Sequence, residues 1–237
     1  MSRAHAPVWA VVPAAGAGRR VGGRTAKQYL PVAGRALLAH TLDALEHTPR
    51  LAALVLVVAD GDTHWRRCVP ARRDPLTATG GATRMASVRA GLAALAGRAA
   101  DDDWVLVHDA ARPCLPRDDL GRLLAAVDAH PVGGLLARPV ADTLKRGAGV
   151  PAEVVATVDR DNLWHALTPQ VFRHALLRDA LARAADAGLE VTDESAAVEH
   201  AGHRPLLVTG SAMNLKVTRP EDLALAERLL SGGGILP

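Results

Sequence analysis

Apolar runs and polar breaks alternate along this chain. Short apolar runs predict buried strands at residues 8–12, 54–59, 104–108 and 206–208. Between and after them, apolar residues at helical spacing predict helices at 36–46, 84–95, 118–129, 173–187 and 221–230. A strand–helix alternation is typical of an α/β fold, with a mostly parallel sheet and helices on both faces.

The stretch from 133 to 169 has a different texture. Residues 135–140 and 154–158 predict strands, and the polar segment 142–147 lies between them. We interpret this stretch as a protruding β-hairpin or arm and not as another strand–helix–strand unit. Downstream, Thr192-Asp-Glu194 predicts the start of a short helix, and Thr218-Arg-Pro-Glu221 has the pattern of a capping box before the last helix.

The clearest candidate for chemistry follows the first strand, where a loop of small residues, Pro13-Ala-Ala-Gly-Ala-Gly-Arg-Arg20, is followed by Arg24 and Lys27. Glycines permit the dihedral angles that let backbone N–H groups close around an anion. With clustered cations beside it, the loop favours binding of a multiply charged anion such as a nucleoside triphosphate. The alternative is a plain turn between a strand and a helix.

The spacing of this loop excludes two familiar phosphate motifs. No Gly-Lys-Ser/Thr follows the glycines, as the P-loop requires. The loop also lacks the G-x-G-x-x-G pattern that opens a helix in dinucleotide-binding folds.

Further polar residues follow other predicted strands or loops. Ligands gather at the carboxyl ends of strands in open parallel sheets, which favours functional roles for Asp109, Arg112 and Lys216. Asp109 is suited to Mg²⁺, which takes one or two carboxylates together with phosphate oxygens. Alternatively, Asp109 caps the next turn and pairs with Arg112, and Lys216 is a surface cation. We interpret His108 as structural.

Composition limits the other possibilities. The 237 residues suit one α/β domain over 1–237, and the formal charge of +3 comes with no basic run interleaved with aromatic residues, so we expect no nucleic-acid partner. No apolar run reaches the length of about 20 residues that a membrane helix needs.

The two cysteines, Cys68 and Cys114, are far apart, which suits a reducing compartment. Although residues 1–18 mimic a signal peptide, cleavage there would remove the anion loop, so we expect a cytoplasmic protein.

An ordered set of motifs covers nearly the whole chain and resembles one family. The motifs are Pro13-Ala-Ala-Gly-Ala-Gly-Arg-Arg20, Lys27-Gln-Tyr-Leu30, Val107-His-Asp-Ala-Ala-Arg-Pro113, Asp142-Thr-Leu-Lys-Arg146, Leu167-Thr-Pro-Gln170, Thr192-Asp-Glu194 and Asn214-Leu-Lys-Val-Thr-Arg-Pro-Glu-Asp-Leu223. Together they resemble the 2-C-methyl-D-erythritol 4-phosphate cytidylyltransferases of the non-mevalonate isoprenoid pathway.

The resemblance implies a Rossmann-like nucleotidyltransferase fold and a homodimer formed through an arm at about 138–160. It implies that CTP and methylerythritol phosphate give the cytidine diphosphate adduct and pyrophosphate, with Mg²⁺ as cofactor. By motif position, it implies binding and catalytic roles for specific residues. The residues that would hold the nucleotide are Ala14, Ala15, Gly16, Gly81 and Ser87, and Asp109 would hold Mg²⁺. The acceptor would be bound by Asp109, Arg112, Thr143, Arg160 and Lys216, with Thr143 and Arg160 coming from the partner subunit. The catalytic residues would be Arg20 and Lys27, which contact the triphosphate, together with Arg160 and Lys216.

One residue departs from the family pattern. The family usually has proline directly before the Lys of its Lys-Gln-Tyr/Phe motif, whereas this chain has Ala26. Since proline restricts the backbone, we expect a more mobile empty loop and retained activity.

Three other functions stay open at the level of sequence. A cytidylyltransferase for another polyol phosphate, such as ribitol 5-phosphate, would share the loop and the His-Asp motif. A sugar-1-phosphate nucleotidyltransferase is disfavoured by Lys27-Gln-Tyr29. A non-catalytic, dimeric nucleotide-binding regulator would bind CTP without releasing pyrophosphate.

Overall fold

A computed structural model describes residues 5–16, 25–68 and 74–232. In these ranges the strands are β1 (Val8–Pro13), β2 (Pro31–Val32), β3 (Arg35–Ala36), β4 (Leu51–Val58), β5 (Leu76–Thr79), β6 (Trp104–Val107), β7 (Gly133–Pro139), β8 (Leu144–Ala148), β9 (Glu153–Val158), β10 (Trp164–Arg173) and β11 (Leu206–Thr209). The helices are α1 (Leu37–Glu46), α2 (Arg84–Ala93), α3 (Arg117–Asp128), α4 (His174–Asp186), α5 (Glu194–His200) and α6 (Pro220–Ser231). Short 3-10 helices cover Lys27–Tyr29 and His64–Arg67.

The central sheet has seven strands in the order β11-β7-β10-β6-β1-β4-β5. Only β10 runs against its neighbours β6 and β7, and the other pairings are parallel. The carboxyl ends of the six parallel strands therefore lie along one edge of the sheet. The chain enters β10 from that same edge.

Two cores cover the two faces of the sheet, because side chains of a strand point alternately up and down. In β1, Ala10 and Val12 pack on one face with α1 and α3, while Val11 packs on the other face with α2 and α4. The strand β4 alternates in the same way. The mostly parallel sheet with helices on both faces is thus confirmed.

The predicted helices agree with the structure to within about two residues, but some other elements were missed or misplaced. The sequence patterns do not predict the short strand β5 or the antiparallel strand β10, which contains Pro169. A proline inside a run argues against a strand, but here Pro169 lies in an irregularity of the β10–β7 register between Ala166 and Gln170. The capping box at Thr218-Arg-Pro-Glu221 was wrong by one residue. The helix α6 has Arg219 as its N-cap, and the Asp222 carboxylate accepts the backbone N–H groups of Thr218 and Arg219.

The arm forms as a separate two-stranded sheet. Strands β8 and β9 pair antiparallel, from Leu144 opposite Val158 to Ala148 opposite Glu153. At its base, the chain continues from β7 and returns into β10, where Pro139 lies opposite Trp164. A hairpin is present in the predicted stretch, but its strands differ from the predicted ones. Residues 135–140 fall mostly in β7 of the central sheet, and most of the polar segment 142–147 forms β8, because its residues pair with β9. The dimerisation role of an arm at about 138–160 stays a prediction.

None of the helices in the described part of the chain is long and apolar enough to span a membrane. The longest among them is α4, with 13 residues.

The close packing of α2 on the sheet predicts an unusual response to a helix-favouring substitution. A Cβ atom at Gly91 would lie 2.5 Å from Cγ1 of Val11 and 2.9 Å from Cγ2 of Val57. Alanine in place of glycine gains about 1 kcal/mol of helix propensity, but overpacking a filled core costs about 1–3 kcal/mol. We expect Gly91→Ala to lower the free energy of unfolding by about 1 kcal/mol, as measured by urea denaturation.

The matched control is Gly121→Ala in α3, where a Cβ atom would meet nothing within 4 Å. There the gain in propensity is unopposed, so the free energy of unfolding should rise by up to about 1 kcal/mol. Equal changes in the two variants would contradict the packing argument.

Candidate active site

A cleft with a volume of about 380 Å³ opens at the carboxyl edge of the sheet. Its walls come from the loops after β1 and β6, the start of α2, the 3-10 helix Lys27–Tyr29 and the segment before α6. The lining residues are Pro13, Ala14, Ala15, Gly16, Lys27, Gln28, Gly81, Ala82, Thr83, Arg84, Ser87, Asp109, Ala110, Ala111 and Lys216. Among the described residues, three cationic side chains and one carboxylate thus line the cleft, which makes it suited to an anionic ligand.

The small-residue loop after β1 packs tightly against the loop before α2. A Cβ atom on Gly80 would lie 2.3 Å from Cβ of Ala15 and 2.9 Å from Oγ of Ser87, so only glycine fits this approach. The same small-residue loop is also held by Gln28, whose amide donates a 2.7 Å hydrogen bond to the Ala14 carbonyl. The two loops therefore hold each other in place at the mouth of the cleft.

Ser87 and Thr83 fix the start of α2. Thr83 is the N-cap, and its Oγ1 accepts the Ala86 N–H at 3.1 Å. The Ser87 hydroxyl accepts the Gly81 N–H at 3.2 Å and donates to the Thr83 carbonyl at 3.0 Å. A single hydroxyl thus joins the glycine loop to the first turn of the helix.

Asp109 is the anionic centre of the cleft and is 7% exposed. Its Oδ2 lies 2.8 Å from Nζ of Lys216 and 3.7 Å from Nε of Arg112, and its Oδ1 accepts Nε of Arg84 at 3.0 Å. Burial alone would raise the pKa of this carboxyl, but the three cations outweigh burial and hold the pKa well below its usual range. Asp109 is therefore ionised at neutral pH. Its pairing with Arg112, expected as a structural alternative, occurs together with the contacts to the cleft.

A second, fully buried carboxylate stands behind Arg84. Glu194 is 1% exposed, and its two oxygens accept from Nη1 and Nη2 of Arg84 at 2.6 and 3.0 Å. Burial raises the pKa of Glu194, and the charge of Arg84 opposes that rise. Burial also tends to lower the pKa of Arg84, but Glu194 and Asp109 outweigh it and raise the pKa above its ordinary value.

The segment that carries Lys216 is fastened by contacts from several elements. The Arg112 guanidinium donates to the Asn214 carbonyl at 2.6 Å, and the Asn214 amide donates to the Thr168 carbonyl at 2.7 Å. One residue beyond Lys216, the Val217 carbonyl accepts Nζ of Lys27 at 2.7 Å. The two cleft lysines are therefore linked through one backbone segment.

His108 is structural, as the sequence analysis interpreted it. The ring is completely buried, with Nε2 3.1 Å from the Arg112 carbonyl and Nδ1 3.0 Å from Oγ1 of Thr168. Burial lowers the pKa of His108 to about 4, so the ring is neutral at pH 7. A carbonyl only accepts, so Nε2 carries the proton and Nδ1 accepts from the Thr168 hydroxyl.

A metal ion in the cleft would have few carboxylate ligands among the described residues. Within the described residues there is no group of three or more His, Cys, Asp or Glu side chains that could hold a metal ion. Asp109 is the one carboxylate that lines the cleft in those residues. A single carboxylate fits Mg²⁺, which is commonly held by one or two carboxylates together with phosphate oxygens of a substrate.

Most of the predicted site residues come together in this cleft. Those that line it are Ala14, Ala15, Gly16, Lys27, Gly81, Ser87, Asp109 and Lys216. Arg112 lies buried behind Asp109. Thr143 and Arg160 are exposed in the arm and are not among the residues that line the cleft, and Arg160 donates to the Ala141 carbonyl. Arg20 lies outside the described residues.

Three residues in or behind the cleft were not predicted from the sequence: Arg84, Glu194 and Gly80. A cation three residues after Gly80-Gly81, at the start of a predicted helix, was the available signal for Arg84. Glu194 belongs to a motif that was noted for helix capping, and Asp193 is indeed the N-cap that accepts the Ala196 N–H. Nothing in the sequence indicates that the next residue pairs with Arg84, 110 positions away.

Comparison with known proteins points to one family. The model of the family described as IspD, 2-C-methyl-D-erythritol 4-phosphate cytidylyltransferase, matches residues 8–232. A curated 2-C-methyl-D-erythritol 4-phosphate cytidylyltransferase from Escherichia coli O127:H6 is 49% identical over 232 residues, which cover 98% of this chain and 97% of that protein.

Solved structures give the same result. A crystal structure of 4-diphosphocytidyl-2C-methyl-D-erythritol synthase is 41% identical with a TM-score of 0.83, covering 95% of this chain and 99% of that one. The 2-C-methyl-D-erythritol 4-phosphate cytidylyltransferase of Thermus thermophilus is 35% identical with a TM-score of 0.78, covering 96% of this chain and 100% of that one. With a family model that matches nearly the whole chain and relatives of this similarity, the chain belongs to the 2-C-methyl-D-erythritol 4-phosphate cytidylyltransferase family.

Proposed function

We propose that this chain transfers the cytidylyl group of CTP to 2-C-methyl-D-erythritol 4-phosphate and releases pyrophosphate, a step in isoprenoid precursor synthesis. Its membership of the family supports the reaction, and its cleft supplies what that reaction needs. The observation that carries the proposal is the convergence of Lys27, Arg84 and Lys216 on one cleft around Asp109. Two highly charged phosphate compounds meet in this reaction, so a surplus of positive charge is required.

The acceptor itself supplies the nucleophile. A phosphate monoester has a second pKa of about 6, so it is largely dianionic at neutral pH. One of its oxygens forms a bond to the α-phosphorus of CTP, and the bond from that phosphorus to the oxygen bridging the β-phosphorus breaks. Pyrophosphate leaves with the electron pair of that bond. The step needs neither a protein base nor a covalent intermediate, so positioning and neutralisation of charge are the protein's contribution.

Each part of the cleft has a role in this proposal. The loops at Ala14–Gly16 and Gly81, with Ser87, hold the nucleotide. Lys27, together with Arg20, neutralises its triphosphate, and Lys216 directs the incoming phosphate. Asp109 and phosphate oxygens of the nucleotide would hold Mg²⁺, which would add further positive charge at the phosphates.

The arm supports a homodimer in which one subunit completes the site of the other. Both faces of β9 are exposed, and Val154 and Val155 remain 67% and 62% exposed. A two-stranded hairpin alone is marginally stable in water, so we infer that a second copy of the chain covers it. Thr143 and Arg160 on this arm would then reach the acceptor in the partner's cleft.

We also propose a cytoplasmic location. Both cysteines of the chain are free and buried, and burial raises the pKa of Cys114 to about 11. Thiols kept in this form suit a reducing compartment.

The choice of acceptor is tested by pyrophosphate release. With CTP and Mg²⁺, we expect turnover with methylerythritol phosphate and little or none with ribitol 5-phosphate offered in parallel. Turnover with ribitol 5-phosphate alone would support cytidylyl transfer but reject methylerythritol phosphate as the acceptor. CTP binding without release from either acceptor would favour the regulatory alternative.

Removal of the Lys27 ammonium should slow the chemical step. Loss of one well-placed electrostatic group costs roughly 10²–10³ in rate at comparable sites. We expect Lys27→Ala to lower kcat by at least about 100-fold, measured as steady-state pyrophosphate release. The control is Arg178→Ala, which removes one exposed positive charge from α4. Arg178 pairs with Asp101 and Asp179 away from the cleft, so kcat should stay unchanged. Near-normal turnover of Lys27→Ala would reject its role.

Shared sites between subunits can be tested by complementation. In this test, Lys27→Ala and Arg160→Ala chains are to be co-expressed with different tags, and the heterodimer is to be purified. If Arg160 serves the partner's cleft, one of the two sites is intact, so about half of the wild-type activity should return. A heterodimer of Lys27→Ala and Lys216→Ala is the control, since both residues line the cleft of their own chain and no intact site can form. Equal, low activity in both heterodimers would reject the shared site.

A further inference from the structure

A chain of ion pairs runs from α5 into the cleft. Glu194, the first residue of α5, holds Arg84, the first residue of α2, and Arg84 in turn holds Asp109. We propose that Glu194 is a positioning residue for the cytidylyl transfer. It locks the Arg84 guanidinium in one orientation, so that Arg84 holds Oδ1 of Asp109 and leaves Oδ2 facing Lys216. The proposal rests on the function proposed above.

The contacts of Glu194 show that it serves Arg84 and not the helix that it begins. The start of α5 is already capped by Asp193, whose carboxylate accepts the Ala196 N–H. Gln170 satisfies the Ser195 N–H with a 2.8 Å hydrogen bond. Both oxygens of Glu194 instead accept from Arg84, at 2.6 and 3.0 Å.

The geometry of this contact fixes a direction as well as a distance. A guanidinium bound by two parallel N–H···O bonds cannot rotate about its long axis without breaking one of them. With Nη1 and Nη2 occupied by Glu194, the Nε–H of Arg84 points to Oδ1 of Asp109 at 3.0 Å. The orientation of the Asp109 carboxylate therefore depends on a residue that does not line the cleft.

Burial of this pair also argues for a role beyond stability. An ion pair removed from water pays a desolvation penalty that its attraction often fails to exceed, so a buried pair is weak evidence for stabilisation. Glu194 is 1% exposed, whereas the Arg84 side chain keeps 26% of its surface exposed at the cleft. If Glu194 released it, Arg84 could turn into the cleft and meet the nucleotide phosphates in place of Asp109.

The variant Glu194→Gln tests whether Glu194 positions Arg84 for the reaction. Glutamine has the same shape but presents an NH₂ donor to an Arg84 donor, so the two-point contact is lost. We expect kcat for pyrophosphate release to fall about 10- to 100-fold, as small displacements of catalytic groups can cost about 10²-fold. The KM for CTP should stay within about threefold or fall, because the variant removes a negative charge behind the cleft and leaves the cations that line it in place. A rise in KM with kcat unchanged would overturn the proposal.

A double-mutant cycle shows whether Glu194 acts through Arg84. If it does, Glu194→Gln added to Arg84→Ala should lower kcat no further than Arg84→Ala alone. Independent, multiplicative losses would overturn the proposal. Ser195→Ala is the matched control for α5: it removes a buried hydroxyl that bonds Asp193, and we expect a lower melting temperature with unchanged kcat.

A spectroscopic measurement separates this inference from the proposed reaction. In the free protein, the Arg84 Nε–H should give a sharp, slowly exchanging NMR signal that is lost in Glu194→Gln and retained in Ser195→Ala. Loss of the signal in Glu194→Gln supports the clamp even if the wild-type chain fails to release pyrophosphate, an outcome that would reject the reaction alone. An Arg84 signal that is the same in the wild type and in Glu194→Gln would reject the clamp whatever the activity.

Discussion

Mutual repulsion of cations is the constraint around which this cleft is built. Arg84, Arg112 and Lys216 all approach the same small space, and two like charges about 4 Å apart repel by about 4 kcal/mol at an effective dielectric constant of about 20. The Asp109 carboxylate lies between them and contacts all three. It thereby allows the chain to hold a concentration of positive charge before any phosphate arrives.

The surrounding fold serves to keep these charges at fixed places. The backbone N–H of Asp109 donates to Oγ1 of Thr168, whose hydroxyl also contacts His108. Asp119 on α3 accepts the Ser211 N–H and so anchors the start of the segment that leads to Lys216. Asp109 and the segment that leads to Lys216 thus lie on backbone that is itself fastened by hydrogen bonds. Preorganised charge of this kind avoids the cost of reorganisation during the reaction.

The sequence predicted the elements whose signal is local. Helix α1 has apolar residues on one face, and β1 is a short apolar run, so periodicity was sufficient for both. The residues Lys27, Asp109 and Lys216 could be assigned because each belongs to a motif that resembles the family. In contrast, β10 contains Pro169 and polar residues, and its strand character comes from pairing with β6 and β7. Pairing partners distant in sequence leave no local pattern.

The same reason explains which site residues were missed. Arg84 and Glu194 are 110 positions apart and make contact only because α2 and α5 both begin near the carboxyl edge of the sheet. Gly80 is required by a side chain from another loop, Ala15, and not by its own turn. The role of the arm also cannot be predicted from a local pattern, because Val154 and Val155 stay exposed within the single chain.

The reversed direction of β10 has a consequence for how such a protein can change over time. Successive parallel strands need a crossover of a dozen or more residues, whereas antiparallel neighbours can be joined by a turn of any length beyond two. Because β10 runs against β7, the segment between them leaves and re-enters the sheet at one place, beside the cleft. The length and sequence of this segment can therefore change without altering the strand order of the central sheet. Its connection to the cleft is kept at β10, where Oγ1 of Thr168 accepts the backbone N–H of Asp109. Evolution can in this way alter the exposed surface of the arm and leave the cleft intact.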